Sequence, residues 1–297
     1  MRLASALAAL LAPGILGFVR SYVPTPEGNG PCLWWATRAP AYAVNDGGSR
    51  HLAGDAQFAA VQAAFAEWST PSCTDVAPRF AGLTDSVAVG YDPDAGGVQN
   101  VVVWRPALCG AVVPASDPCL QDASCDDAHD CLDDGESIAI AVTSYFYRLD
   151  TGELLGAGTE LNDADYVFST ADDPPCAQMP PPTAVNPPCV AYDVQGIMTH
   201  EAGHFLGFGH SPVPGAVMNP DAGLGDVSKR TLSPDDVDAV CTVYPADGGT
   251  LTCIPDAGQP AAPSGCSCGS SGGGAVAWIA ALALAAGAAR RKRGLRR

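Results

Sequence analysis

Positive charge is scarce in this chain and is concentrated at its two ends. The 297 residues include 32 acidic and 15 basic side chains, which gives a formal net charge of −17. Six of the basic residues lie in the last eight positions, so residues 21–289 carry only seven basic groups against all 32 acidic ones. A nucleic-acid-binding surface needs clustered Lys and Arg to displace counterions from phosphates. The scarcity therefore argues against a nucleic-acid partner.

The N-terminal sequence has the pattern of a secretory leader. Arg2 precedes a largely apolar run over residues 3–19, and a short basic start before such a run is typical of a signal peptide. The alternative is a buried N-terminal helix, but Pro13 and Gly14 disfavour a long helix there. We therefore predict a signal peptide over residues 1–20 and a secreted protein.

The C-terminal sequence divides into two further parts after a predicted domain at residues 21–246. Residues 247–274 are rich in Gly, Pro and Ser, which is typical of a flexible linker, and include the closely spaced Cys266 and Cys268. Residues 275–297 join a short apolar run to an Arg/Lys cluster, which predicts a transmembrane or sorting segment with a cytoplasmic basic end. The alternative is a disordered glycine-rich tail. This order of parts resembles the sorting tails of myxobacterial surface proteins, which implies attachment to the cell surface or outer membrane.

Cysteine is abundant, and in a secreted chain its twelve residues favour disulfides over free thiols. The pairing of the ten that precede the tail motif cannot be deduced from the sequence. Four of the ten lie in or beside an acidic loop with eight carboxylates between Asp117 and Glu136. We interpret this loop as a solvated insertion held by disulfides. A Ca²⁺ site is an alternative, although the spacing is not that of an EF-hand, and a zinc site of Cys125, His129 and Cys131 is another.

The middle of the chain alternates short β-rich runs with a few helical patterns, which predicts an α+β or mixed α/β fold. Apolar residues recur at helical spacing between Asp55 and Trp68, so we expect a helix there. The expected strands lie at Tyr42–Val44, Val87–Val89, Val101–Trp104, Ser137–Tyr147 and Leu154–Leu161.

The segment that carries chemistry is HEAGHFLGFGH, from His200 to His210. On a helix, His200 and His204 are one turn apart, so both imidazoles project from the same face. Gly207 ends the helix in a conformation that a residue without a Cβ adopts easily, which lets His210 return as a third ligand. Three imidazoles leave a coordination position of zinc open for water, as in catalytic sites. Glu201 can reach that water without binding the metal.

This segment resembles the metzincin zinc proteases, and the matrixin branch in particular. Ser211 follows the third histidine as in matrixins, and Met218 in AVMNP is similar to the family's Met-turn. Ser233-Pro234-Asp235-Asp236 opens a last helix with a capping pattern, as at the end of a matrixin catalytic domain. The resemblance implies a twisted, mainly parallel five-stranded sheet with an active-site helix and a C-terminal helix. It also implies that Met218 lies under the zinc without binding it, and that substrate pairs with the edge strand of the sheet.

The function implied is that of a monomeric zinc endopeptidase that hydrolyses extracellular proteins or peptides, with Glu201 as general base. The alternative is an inactive metzincin-fold protein that serves binding or adhesion at the surface. The chain lacks the Pro-Arg-Cys-Gly motif by which many matrixins stay latent. Only His51 and His129 lie outside the motif, so a second, structural zinc site of three histidines is not expected. We expect the S1′ pocket between His210 and Leu232, with Val213, Pro214 and residues 221–231 lining it.

Overall fold

The computed structural model describes residues 17–248, apart from residues 27, 95, 98, 123 and 134–138, together with residues 266–269. A 3-10 turn at Ser228–Arg230 precedes the last helix. In chain order the strands and α-helices are β1 Val19–Arg20, β2 Tyr22–Thr25, β3 Gly28–Cys32, β4 Ala41–Asn45, α1 Ala56–Glu67, β5 Arg79–Thr84, β6 Val101–Arg105, α2 Cys109–Val112, α3 Cys119–Asp122, α4 Cys125–His129, β7 Ala139–Tyr147, β8 Leu154–Asn162, β9 Phe168–Ser169, β10 Tyr192–Asp193, α5 Val194–Phe205, β11 Phe208–Gly209, α6 Pro234–Val243 and β12 Cys266–Gly269.

The main sheet has the strand order β7-β8-β6-β4-β5, with β12 added outside β7. Strands β8, β6, β4 and β5 run parallel to one another, whereas β7 is antiparallel to β8. This confirms the predicted α+β class and the five-stranded, mainly parallel sheet. Strand β12 extends the sheet to six strands, which the sequence did not predict.

Helices α1 and α5 pack on one another beside this sheet and build the main core. The buried face of α1 carries Phe58, Val61 and Phe65, and Trp68 follows at its end, so the predicted helical periodicity is confirmed. Phe65 stacks on Tyr42 of β4 with ring centroids 3.7 Å apart, and it meets Phe205 of α5 edge-on at 5.2 Å. These aromatic contacts fix α5, which carries the histidine motif, against the rest of the domain.

One predicted strand is wrong, and one strand of the five-stranded main sheet was missed. Residues 87–89 form no strand, because the backbone N–H of Val89 donates to the Asp127 carboxylate (3.0 Å) rather than to a sheet neighbour. Val89 is nevertheless buried, against Val101 and Val103. The missed strand is β5, a half-exposed edge strand whose sequence RFAGLT lacks a continuous apolar run. The other predicted strands are present in β4, β6, β7 and β8, although residues 137–138 lie outside the described residues.

Disulfides hold the acidic loop, as the preferred interpretation expected. Cys109 pairs with Cys131, and Cys119 pairs with Cys125. The alternative zinc site of Cys125, His129 and Cys131 is therefore wrong, because both thiols are used in disulfides. His129 Nε2 instead contacts the Asp117 carboxylate at 3.0 Å. Two further bridges join Cys73 to Cys241 and Cys176 to Cys189.

Part of the acidic charge is organised around one buried arginine. Arg105 at the end of β6 is fully buried and donates to Glu160 (2.7 Å), Asp130 (3.1 Å) and Asp127 (3.3 Å). Burial raises the pKa of Glu160 to about 7, while Arg105 opposes that shift. These carboxylates therefore have a structural role, and the Ca²⁺ site stays a prediction without support from the described residues.

The structure describes little of the leader and the tail that the sequence predicts at the two ends of the chain. Strand β1 pairs with β11, so a leader that ended at residue 20 would take β1 with it, and the boundary stays a prediction. No helix among the described residues is long and apolar enough to cross a membrane. The predicted transmembrane segment at 275–297 and most of the linker lie outside the described residues.

Candidate active site

Helix α5 begins at a buried cap and carries two of the three histidines. Asp193 precedes the helix, and its Oδ2 accepts the backbone N–H of Gly196 at 2.8 Å. The same carboxylate receives two hydrogen bonds from Arg230, from Nε at 2.8 Å and from Nη2 at 2.7 Å. Capping and a bidentate ion pair together fix the start of α5, so the positions of His200 and His204, about two and three turns later, are fixed as well.

The three histidines of the motif converge as predicted. Their ring centroids are 4.6 Å apart for His200 and His204, 4.9 Å for His204 and His210, and 5.2 Å for His200 and His210. One ligand nitrogen from each ring lies within 4.8 Å of the other two. His200 and His204 are fully buried, whereas His210 is partly exposed. The triad thus forms a compact three-nitrogen site with one side towards solvent.

Hydrogen bonds fix the tautomers of the two helical histidines. His200 Nδ1 lies 2.6 Å from the carbonyl of Val217, and His204 Nδ1 lies 2.8 Å from the carbonyl of Phe208. Because a carbonyl only accepts, each Nδ1 carries the proton and each Nε2 presents a lone pair. His200 Nε2 is buried and has no hydrogen-bond partner among the described residues. A metal bound to His200 Nε2 would explain why this buried nitrogen lacks a hydrogen-bond partner. The residues therefore fit a three-histidine zinc site.

The surroundings keep the three imidazoles neutral. Burial lowers the pKa of His200 and of His204 well below 6.5, and the neighbouring histidines and Lys229 lower both further. Burial, followed by Lys229, lowers the pKa of His210 to about 4. Since a metal binds the neutral imidazole, this electrostatic environment favours metal over protons at neutral pH.

The return of His210 depends on the turn at Gly207 and on a short strand pair. Gly207 has φ +91°, and a Cβ there would lie 2.5 Å from the carbonyl oxygen of Leu33. After this turn, β11 pairs with β1, with Gly209 opposite Val19. The predicted role of Gly207 is therefore supported. The contribution of β1 was not predicted, since residues 19–20 were assigned to the leader.

Met218 lies against the histidine helix at a glycine. A Cβ at Gly203 would fall 2.6 Å from Trp68 Cζ2 and closer still to Met218 Sδ, so this position in α5 requires glycine. Trp68 itself donates from Nε1 to the Thr199 carbonyl at 2.8 Å. The buried thioether therefore fills the space that a side chain at position 203 would take, and the predicted place of Met218 beneath a bound zinc stays a prediction.

The segment around Met218 is held by charges from two directions. The Asp236 carboxylate accepts the backbone N–H groups of Val217 (2.8 Å) and Met218 (3.1 Å), and also caps α6 in a capping box with Ser233. From the other side, Lys229 Nζ donates to the carbonyls of Val217 (2.9 Å) and Asn219. Because Val217 also accepts from His200, this clamp positions His200 as well as the segment around Met218.

Glu201 is buried between α5 and the sheet. The hydroxyl of Thr143 on β7 donates to Glu201 Oε2 at 2.6 Å and lies 3.0 Å from the hydroxyl of Thr159 on β8. These contacts fix the orientation of the carboxylate, which belongs to the residue after His200. Strand β7, at the edge of the five-stranded sheet, therefore contacts Glu201, the residue predicted to act as general base.

Sequence reasoning missed three residues of this site: Thr143, Gly203 and Lys229. A glycine in the interior of a predicted helix was a usable signal for Gly203, since it lowers helix stability without a packing reason. No local signal marked Thr143, which lies 58 residues from Glu201. Within the predicted S1′ region, Ala222 and Leu224 pack on the core, whereas Pro214 and Asp221 are exposed.

Comparisons with known proteins agree with this geometry. The family model "Matrixin" matches residues 122–245. Human matrilysin is 50% identical over 46 residues, which is 16% of this chain and 17% of that protein. Human neutrophil collagenase is 33% identical over 73 residues, 25% of this chain and 14% of that protein. The matches thus span less than a fifth of either relative. By sequence, the segment that carries the histidines is similar to matrixins.

Proposed function

We propose that this protein is a secreted zinc-dependent endopeptidase. The observation that carries the proposal is the buried three-nitrogen site with Glu201 next to it in sequence and fixed by Thr143. Neutral imidazoles, with the Nδ1 atoms of His200 and His204 donating to backbone carbonyls, suit a catalytic zinc with an open position, and an oriented carboxylate suits a general base. The similarity of residues 122–245 to matrixins supports the same reaction class.

In this proposal the Nε2 atoms of His200, His204 and His210 hold the metal. A zinc ion held there would lower the pKa of a water towards ~7 and would polarise the carbonyl of the peptide bond. Glu201 accepts the proton of that water and delivers it to the leaving amine. Thr143 holds the carboxylate in one orientation throughout, so that both proton transfers start from a fixed position. Met218 excludes water from beneath the histidine rings.

The location of the activity is also a proposal. Four disulfides among the described residues suit an oxidising compartment, which supports secretion. Attachment to the cell surface or outer membrane is supported by the order of the tail segments alone. We expect protein or peptide substrates and a monomeric enzyme.

The decisive test is Glu201→Gln in the full chain. The amide keeps the size of the side chain but cannot accept the proton, so we expect retained zinc, measured by metal analysis, and loss of casein or gelatin cleavage. Glu153→Gln, at the exposed ion pair with Arg148, is the matched control and should leave cleavage unchanged. A chelator should abolish wild-type cleavage and zinc should restore it. Zinc binding without cleavage in the wild type would instead indicate the inactive binding protein.

A further inference from the structure

The tail strand β12 occupies the open edge of the sheet. Cys266–Gly269 pairs antiparallel with β7, with Cys266 opposite Thr143, Ser267 opposite Val142 and Gly269 opposite Ala139. Strand β7 has β8 on its other side, so β12 uses the free backbone groups of the edge. Edge strands commonly recognise extended peptides through this backbone pairing.

This edge is the one that adjoins the catalytic carboxylate. Thr143, which lies opposite Cys266, donates to Glu201 at 2.6 Å. A paired strand lies about 4.8 Å from its neighbour, so the backbone of β12 passes within one strand spacing of the residue that orients Glu201. The resemblance to matrixins implies that substrate pairs with the edge strand of the sheet, which is the place that β12 occupies.

The connection to the domain is long enough for this pairing. Seventeen residues, 249–265, separate the end of the described domain from Cys266. A chain of that length spans up to about 60 Å when extended, more than the width of a domain of this size. Because the strand is tethered, its effective concentration at the edge is of millimolar order, which favours pairing over the binding of a dilute substrate.

We propose that residues 266–269 are an internal competitor for the substrate strand. In the closed form, β12 covers the edge beside Glu201; in the open form, an extended peptide segment of a substrate protein pairs with β7 instead. The inference rests on the proposed endopeptidase function. Removal of the tail, or its engagement elsewhere, would raise activity without changing the metal site. The chain thus carries an inhibitory segment at its C-terminal side.

The test uses the full chain with prolines at Ser267 and Gly269. Proline has no backbone N–H and is disfavoured inside a sheet, so S267P/G269P should disrupt the pairing of β12 with β7. The matched control, S264P/S271P, puts the same residues outside the strand. If the open form is about one tenth of the wild-type population, S267P/G269P should lower KM for an extended peptide about tenfold with unchanged kcat. The control should keep the wild-type KM.

A second readout does not depend on activity. In the Glu201→Gln background, the backbone amides of residues 139–143 should exchange hydrogen slowly in the full chain. They should exchange faster after S267P/G269P. Equal KM values and equal exchange in both proline variants would overturn the inference. If S267P/G269P speeds this exchange but no variant cleaves the peptide, the pairing is supported and the endopeptidase function is rejected. The two failures are therefore distinguishable.

Discussion

Replacement of Gly203 by alanine tests whether the close approach of Met218 to α5 is required. Helix propensity alone predicts a gain, because Ala is about 1 kcal/mol more favourable than Gly in a helix interior. The packing predicts the opposite. The added methyl would lie 2.6 Å from Trp68 Cζ2 and in collision with Met218 Sδ, and both of these side chains are buried.

The expected magnitude follows from these two opposing effects. Overpacking a buried site costs typically 1–3 kcal/mol, and here two neighbours must move at once, so the upper part of that range applies. After subtraction of the propensity gain, we expect Gly203→Ala to lower the free energy of unfolding by about 1–2 kcal/mol. Displacement of Met218 also disturbs Val217, whose carbonyl holds His200, so zinc affinity should fall as well.

The assay is guanidinium unfolding with intact disulfides, together with zinc competition against a chromogenic chelator. Gly110→Ala in α2 is the matched control, because a Cβ at Gly110 meets nothing within 4 Å. The control should be neutral or slightly stabilising. A Gly203→Ala protein as stable as the wild type, with unchanged zinc affinity, would refute the claim that Met218 needs this glycine.

Two further predictions concern the histidines and Glu201. Thr143→Val removes a hydrogen bond to the Glu201 carboxylate, and a hydrogen bond to a charged group contributes about 1.5–3 kcal/mol, so kcat should fall roughly 10- to 100-fold. Thr143→Ser keeps the hydroxyl and should restore kcat. A wild-type kcat in the valine variant would contradict the role of Thr143. Because the folded pKa values of the triad lie below 6.5, the unfolded chain binds more protons under acid conditions. The metal-free protein should therefore lose stability as the pH falls from about 7 to about 4, the value for His210. Thermal unfolding at several pH values measures this, and His210→Gln should show a smaller dependence.

The metal site was predictable where its geometry is local. The four-residue spacing of His200 and His204 places both on one helix face, and the turn at Gly207 brings back His210, so the sequence contains most of the ligand arrangement. The capping pattern at Ser233 is local in the same way, and the capping box is present. Such features depend on backbone geometry within a few residues.

The remaining features depend on contacts between distant segments. Thr143 reaches Glu201 across the sheet, and Lys229 reaches the carbonyls beside Met218, without any pattern in their own neighbourhoods. Residues 87–89 have strand-forming composition, but Val89 finds a side-chain acceptor in Asp127 instead of a strand partner. Cys125 and Cys131 had zinc-like spacing, but their partners Cys119 and Cys109 were not predictable from sequence.

The clamp on Met218 and the pairing of β1 with β11 set the order in which the histidine site can be completed during synthesis. Strand β1 leaves the ribosome first, but its partner at residues 208–209 and the Asp236 carboxylate come near the end of the domain. At 5–20 residues per second, residue 236 follows residue 20 by roughly 10 to 40 s. The nascent chain therefore lacks a complete histidine site until residue 236 has been made.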